Sequence, residues 1–182
     1  MRRMRAISWG VVAALAVVIA GCASTAGTAT PVAAIGQGES LTRYTKVVFL
    51  SSSADTAASM TSSDRDRIVA LVTRKLKEKA PTRFADLAPR AVDPDTLQVK
   101  IAFTRYEEGS AFARFMLAGL GQIHIDADVT LEDQARPAPV GRYAVTKTFA
   151  WGGIYGGTTD IRDVEDGFAE AVAKILLGQP SD

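Results

Sequence analysis

Cysteine and histidine occur once each in the 182 residues, as Cys22 and His124. A single cysteine rules out a disulfide framework within one copy and any cysteine-built metal site. A single histidine leaves one candidate base for a nucleophilic triad, and no G-x-S-x-G elbow is present for it to serve. An excess of one charge is also lacking. The formal net charge is +1, which gives no basic footprint for nucleic acid. Nor is there an apolar run fit to span a bilayer: the one from about Ala6 to Ala20 falls short of the roughly 20 residues required.

That run follows Arg2, Arg3 and Arg5 and ends in small residues, the three-part pattern of a secretory signal. Ile19, Ala20, Gly21 and Cys22 then resemble the lipobox of bacterial lipoproteins. The resemblance implies cleavage before Cys22 and acylation of its thiol. Two or more acyl chains, at about 0.8 kcal/mol per buried methylene, hold such a protein to the bilayer. Residue 23 is Ala rather than Asp, which by the sorting pattern of enteric bacteria implies the outer membrane, facing the periplasm. Removal of residues 1–21 takes three of the 21 basic residues, so 18 face 20 acidic ones and the formal charge becomes −2.

Three parts are expected: a signal peptide over 1–21, the lipidated cysteine with a flexible tether over 22–41, and a single α+β periplasmic domain over 42–182. The tether is rich in Ala, Ser, Thr and Gly and, if flexible, would reach about 25 Å. In the domain, Tyr44 to Leu50 has apolar residues on both parities, the pattern of a central strand. Ser63 and Asp66 signal a cap for a helix carrying Ile68, Leu71, Val72 and Leu76, stopped by Pro81. Alternation predicts strands over 97–106, 123–132 and 142–151, with Lys147 breaking parity as an edge or bulge residue would. A last helix starts at Thr159 or Asp160, carries Ile161, Val164, Phe168, Val172 and Ile175, and ends at Gly178. The order β-α-β-β-β-α predicts a two-layer α+β sandwich, with a mixed or mostly antiparallel sheet of about four strands and two helices on one face. The apolar connection 107–122 is expected to cover Val48 and Leu50 on the other face.

Candidate chemistry is sparse. His124, Asp126 and Asp128 share one strand face about 7 Å apart. A metal there would need ligands from Lys100, Thr146 or Thr148, which are poor donors, so a solvated polar face with Lys100 paired to an aspartate is the simpler reading. A two-carboxylate hydrolase using Asp126 and Asp128 is the enzymatic rival, although an open sheet face offers no cleft. The glycine-rich stretch 151–160 lacks a Walker ending and runs into Asp160, Asp163, Glu165 and Asp166, which repel anions. No cofactor is expected. Arg114, Phe115 and Tyr155 are the candidate partner-binding residues. Arg114 could instead pair with Glu107, Glu108 or the acidic strand face beneath a lid.

The lipobox, Y-T-K-V-V-F from Tyr44, G-S-A-F-A-R-F-M-L-A-G-L-G-Q from Gly109, I-H-I-D-A-D-V-T-L-E-D from Ile123 and G-G-I-Y-G-G from Gly152 together resemble one family of bacterial lipoproteins. It is the domain-of-unknown-function family forty-four ten. The resemblance implies an envelope lipoprotein with a small α+β domain and brings no activity or catalytic residues. Where that family has a short turn, this chain has Asp133 to Gly141 with Pro137 and Pro139. The function expected is a non-enzymatic interaction module, bound to the bilayer through acylated Cys22 and to an envelope protein or polymer. A small glycan or lipid hydrolase and a ligand-binding lipoprotein are the alternatives.

Overall fold

The computed structural model describes residues 25–36, 40–84, 94–117, 120–133, 135–136 and 138–179. Cys22 and the segment expected to be a signal peptide lie outside these residues. Five strands are formed: β1 (Thr28–Ala33), β2 (Lys46–Ser53), β3 (Thr96–Glu107), β4 (Ile123–Glu132) and β5 (Gly141–Phe149). Four α-helices accompany them among the described residues: α1 (Ser62–Lys79), α2 (Ala111–Met116), α3 (Gly153–Thr158) and α4 (Ile161–Leu176).

The strands form one mixed sheet in the order β1-β5-β4-β3-β2. β2 and β3 are parallel because α1 carries the chain back between them, and the other pairs are antiparallel. Alternation buries Leu97, Val99, Ile101 and Phe103 of β3, the odd positions of β4, and Tyr143, Val145 and Phe149 of β5. Over this face lie α1, through Ile68, Val72 and Leu76, and α4, through Val164, Phe168, Val172 and Ile175. The rings of Phe103 and Phe168 stand 5.5 Å apart in that core. The expected α+β sandwich with two helices on one face is therefore the observed architecture.

Several local expectations are corrected. β2 is an edge strand rather than a central one, and Leu50 is exposed. Residues 28–33, read as tether, form the opposite edge: Thr28 pairs with Thr146 and Ala33 with Arg142, and the Gly27 amide donates to the Gly167 carbonyl at 2.8 Å. Lys147 is neither an edge nor a bulge residue. It is buried in register opposite Ile125, and its long side chain carries the ammonium out to the Thr25 hydroxyl at 2.9 Å. The register shifts instead in β1, between Pro31 and Ala33, and in β3, between Phe103 and Arg105. The β3 bulge reverses the side-chain parity, so Tyr106 turns into the core.

The cap of α1 is Thr61 rather than Ser63. The hydroxyl and amide of Thr61 donate to Asp64 Oδ2 at 2.7 and 2.8 Å, and the Asp64 amide donates back to that hydroxyl. α4 is capped in the same way by Asp160 with Asp163. The long turn after β4 is pinned by Asp133, whose carboxylate accepts from Arg43, Tyr44 and the Ala135 amide. Strand register is kept across it, with Leu131 opposite Gly141.

Candidate functional site

β3 ends at Glu107 directly opposite His124 of β4, so the chain between them must leave the sheet and return at almost the same point. Gly109 (φ 66°) and Gly121 (φ 67°) make this closure. A Cβ on Gly109 would lie 2.2 Å from the Gln122 carbonyl oxygen, too close for any other residue. Inside the closed loop Ser110 caps α2 by accepting from the Ala113 amide. α3 follows the end of β5, which pairs with the start of β4, so α2 and α3 share one end of the sheet and pack together. Gly157 makes room for Phe115: a Cβ there would meet the Phe115 Cβ at 3.1 Å.

Arg114 locks the pair. Only 1% exposed, its guanidinium donates to the carbonyls of Glu108 (2.7 Å), Gly121 (2.7 Å), Gly156 (2.8 Å) and Thr159 (2.9 Å). The bonds found are to main-chain carbonyls rather than to the Glu107 or Glu108 carboxylates or the acidic strand face, and they hold the side chain beneath the surface. Its fork satisfies main-chain oxygens from both helical segments.

The apolar side chains around this staple point outward. Phe112 is 73% and Ile154 77% exposed, and Phe115, Met116, Leu117, Leu120 and Tyr155 are all about half exposed. Tyr155 is steadied by edge contacts with Phe149 and Trp151, at ring separations of 5.6 and 6.2 Å. Between Gly109 and Gln122 and between Trp151 and Thr159 the only charged residue is the buried Arg114. The 107–122 connection is thus no lid over Val48 and Leu50, because its large apolar residues face solvent. Of the three residues singled out in the sequence, Phe115 and Tyr155 are both exposed at this end of the sheet, and Arg114 is buried between the segments that carry them.

The acidic strand face is laid out differently. Asp126 and Asp128 project from the uncovered side of β4, and Asp128 is exposed. Lys100 pairs with Glu132 at 2.7 Å rather than with an aspartate. Arg105 pairs with Glu107 at 2.7 Å, and His124 Nδ1 lies 3.1 Å from the Thr148 hydroxyl. Partial burial lowers the His124 pKa, and the Arg105 charge adds to the effect. Among the described residues no three acidic, histidine or cysteine side chains converge as metal ligands.

Sequence reasoning missed a polar cluster between the two long helices. Glu165 of α4 is fully buried and accepts from Arg67 Nε (2.7 Å), Arg67 Nη2 (2.6 Å) and the Tyr106 hydroxyl (2.7 Å). Arg67 also donates to Asp64 at 2.7 Å. Burial, reinforced by the bond to Glu165, pushes the Tyr106 phenol well above its ordinary value, and Glu165 raises the Arg67 pKa. The signal was available: Glu165 lies four residues after Ile161 and three before Phe168, on the core side of α4.

Burial works to raise the Asp64 pKa, but the Thr61 bonds and Arg67 outweigh it and hold the carboxyl at about 2. Unfolded Asp titrates near 4, so this stabilisation is complete above that pH and is lost as pH falls through about 2. Replacement of Asp64 by Asn should therefore cost about 2 kcal/mol at pH 6. In urea denaturation the gap between parent and variant should close near pH 2, and a gap independent of pH would contradict the assignment.

The fold is shared with proteins of known structure. A variant of the PelC dodecamer from Paraburkholderia phytofirmans is 18% identical, with a TM-score of 0.53 over 82% of this chain and 97% of that one. A second structure of that dodecamer is 15% identical, with a TM-score of 0.52 over 86% of this chain and 99% of that one. Protein XCC0632 from Xanthomonas campestris is 15% identical, with a TM-score of 0.46 over 82% of this chain and 86% of that one. No curated protein matches the sequence. The family model described as Domain of unknown function (DUF4410) matches residues 32–153, more than half of the sequence, and the chain belongs to that family.

Proposed function

We propose that this protein is a bacterial envelope lipoprotein, anchored through acylated Cys22 on the periplasmic side of the outer membrane, that works as a non-enzymatic interaction module. The observation that carries the reading is the α2–α3 end: a cluster of exposed large apolar side chains from two segments that carry no exposed charge of their own, on a scaffold fixed by a buried arginine. Monomeric proteins rarely leave so many large apolar residues contiguous and exposed unless something binds there. The hydrolase alternative draws little support from Asp126 and Asp128, which project from the helix-free face of the sheet, Asp126 half-buried and Asp128 exposed. PelC, described as a dodecamer, has this fold, so further copies of the chain are among the partners to be sought.

Two measurements test the reading. A photo-crosslinking residue at Phe115 or Tyr155, in cells, is expected to capture an envelope component, and the same residue at exposed Asp128 is not. Capture at neither apolar position removes the interaction module. Separately, Cys22→Ala should abolish lipid labelling and move the protein from the membrane to the soluble periplasmic fraction. Unchanged fractionation would remove the anchor.

A further inference from the structure

The position of β1 determines where an anchor at Cys22 would hold the domain. β1 is antiparallel to β5, so the chain followed back from Thr28 toward Cys22 runs in the direction of β5, toward Phe149. The Thr25 hydroxyl is held by Lys147, and Gly27 by Gly167. The end of the sheet approached in this way is the one from which α2 and α3 project. Only two residues, Ala23 and Ser24, lie between Thr25 and Cys22, and the three Cα–Cα steps reach at most about 11 Å. A flexible tether of the whole segment 22–41 would have left the domain free to turn any face to the bilayer. With β1 folded into the sheet, that freedom is lost.

We infer that the occupant of the α2–α3 surface is the lipid bilayer itself, with Phe112, Ile154 and their apolar neighbours seated among the acyl chains beside the lipidated Cys22. This rests on the reading of Cys22 as the anchor. Two observations select lipid over a protein partner: the short reach from Cys22, and the absence of exposed charge across both segments. Interfacial elements of this type sink about 5–10 Å into the boundary between headgroups and acyl chains. Glu107, Glu108 and Asp160 flank the surface in sequence, and Arg74, Arg162, Asp163 and Asp166 line a groove beside Tyr155, so acids outnumber bases at this border and the attraction is to hydrocarbon rather than to anionic headgroups.

Because Cys22 is acylated in the mature protein, one added cysteine can be labelled selectively. Full-length acylated protein carrying Phe112→Cys, Ile154→Cys or Ala135→Cys is labelled with an environment-sensitive fluorophore. It is then reconstituted in phosphatidylethanolamine–phosphatidylcholine vesicles containing doxyl-labelled phosphatidylcholine. Ala135 is exposed in the turn at the opposite end of β4 and serves as the control. Doxyl quenching is expected to be several-fold greater at 112 and 154 than at 135. Equal quenching at all three positions overturns the inference. Aqueous iodide then separates the two failures: probes at 112 and 154 shielded from iodide but not quenched by lipid mean that another copy of the chain covers the surface, and the interaction reading survives. Probes open to iodide at all three positions, together with no capture in cells, end both readings.

Discussion

Glu165→Ala is expected to destabilise the protein by about 3–5 kcal/mol, the largest loss from any single polar substitution outside the α2–α3 end. The carboxylate is fully buried and three donor bonds converge on it, so its removal takes the Tyr106 hydroxyl's acceptor and leaves Arg67 with Asp64 as its remaining carboxylate. Arg67 is 30% exposed and can turn partly to water, which places the loss toward the lower end of that range. Tyr106 cannot do the same. The β3 bulge has directed it into the core, and its hydroxyl would be left with Arg67 alone, itself displaced. Glu165→Gln keeps the volume and one carbonyl acceptor, and should lose less than the alanine variant. Denaturant unfolding followed by circular dichroism measures all three quantities. A loss under about 1 kcal/mol for the alanine variant would mean that the cluster contributes only packing. A double-mutant cycle between Arg67→Met and Glu165→Leu gives the sharper result: a coupling of at least about 2 kcal/mol is expected, because Arg67→Met alone leaves the Glu165 carboxylate buried without its cation, whereas the double change removes that charge and leaves only the Tyr106 hydroxyl without a partner.

This cluster also shows where the sequence could be read and where it could not. Alternation over β3, β4 and β5 and the helical stripes of α1 and α4 reflect burial against one core. One-dimensional periodicity therefore located both layers of the sandwich and the face that carries polar residues. β1 gave no such pattern. Thr-Ala-Thr-Pro-Val-Ala buries only Ala29, and it is a strand because β5 offers it an unpaired edge, a fact about a residue more than a hundred positions away. The bulge after Phe103 has no marker in composition, yet it decides that Tyr106 meets Glu165. Lys147 broke parity in the sequence but not in the sheet, because a long aliphatic stem can lie in a core while its charge finds a hydroxyl at the rim. In the candidate site, Phe115 and Tyr155 were legible as apolar residues in glycine-rich connections. The role of Arg114 was not: its partners are main-chain carbonyls, which every residue has and no sequence pattern reveals.

The second large effect follows from that role. Arg114→Ala should loosen the α2–α3 end and lower global stability by about 2–3 kcal/mol, less than the sum of four charge-assisted bonds would suggest. The reason is local escape. α2 and α3 attach to the core mainly through Tyr155 against Phe149 and Trp151, so once the staple is gone both segments can open and expose the four carbonyls to water. The cost is then limited to the free energy of that opening. Amide exchange should accelerate across 109–122 and 153–159 and remain unchanged in α1, α4 and β3. Arg114→Lys tests whether geometry or charge matters: an ammonium carries three donors on one atom and cannot span carbonyls contributed by four separate residues, so it should recover less than half of the loss. If the lysine variant is as stable as the parent, the positive charge alone holds the end together. If exchange accelerates in α1 and α4 as well, Arg114 supports the whole core, and the α2–α3 end is no longer a separable surface that could be set against a membrane.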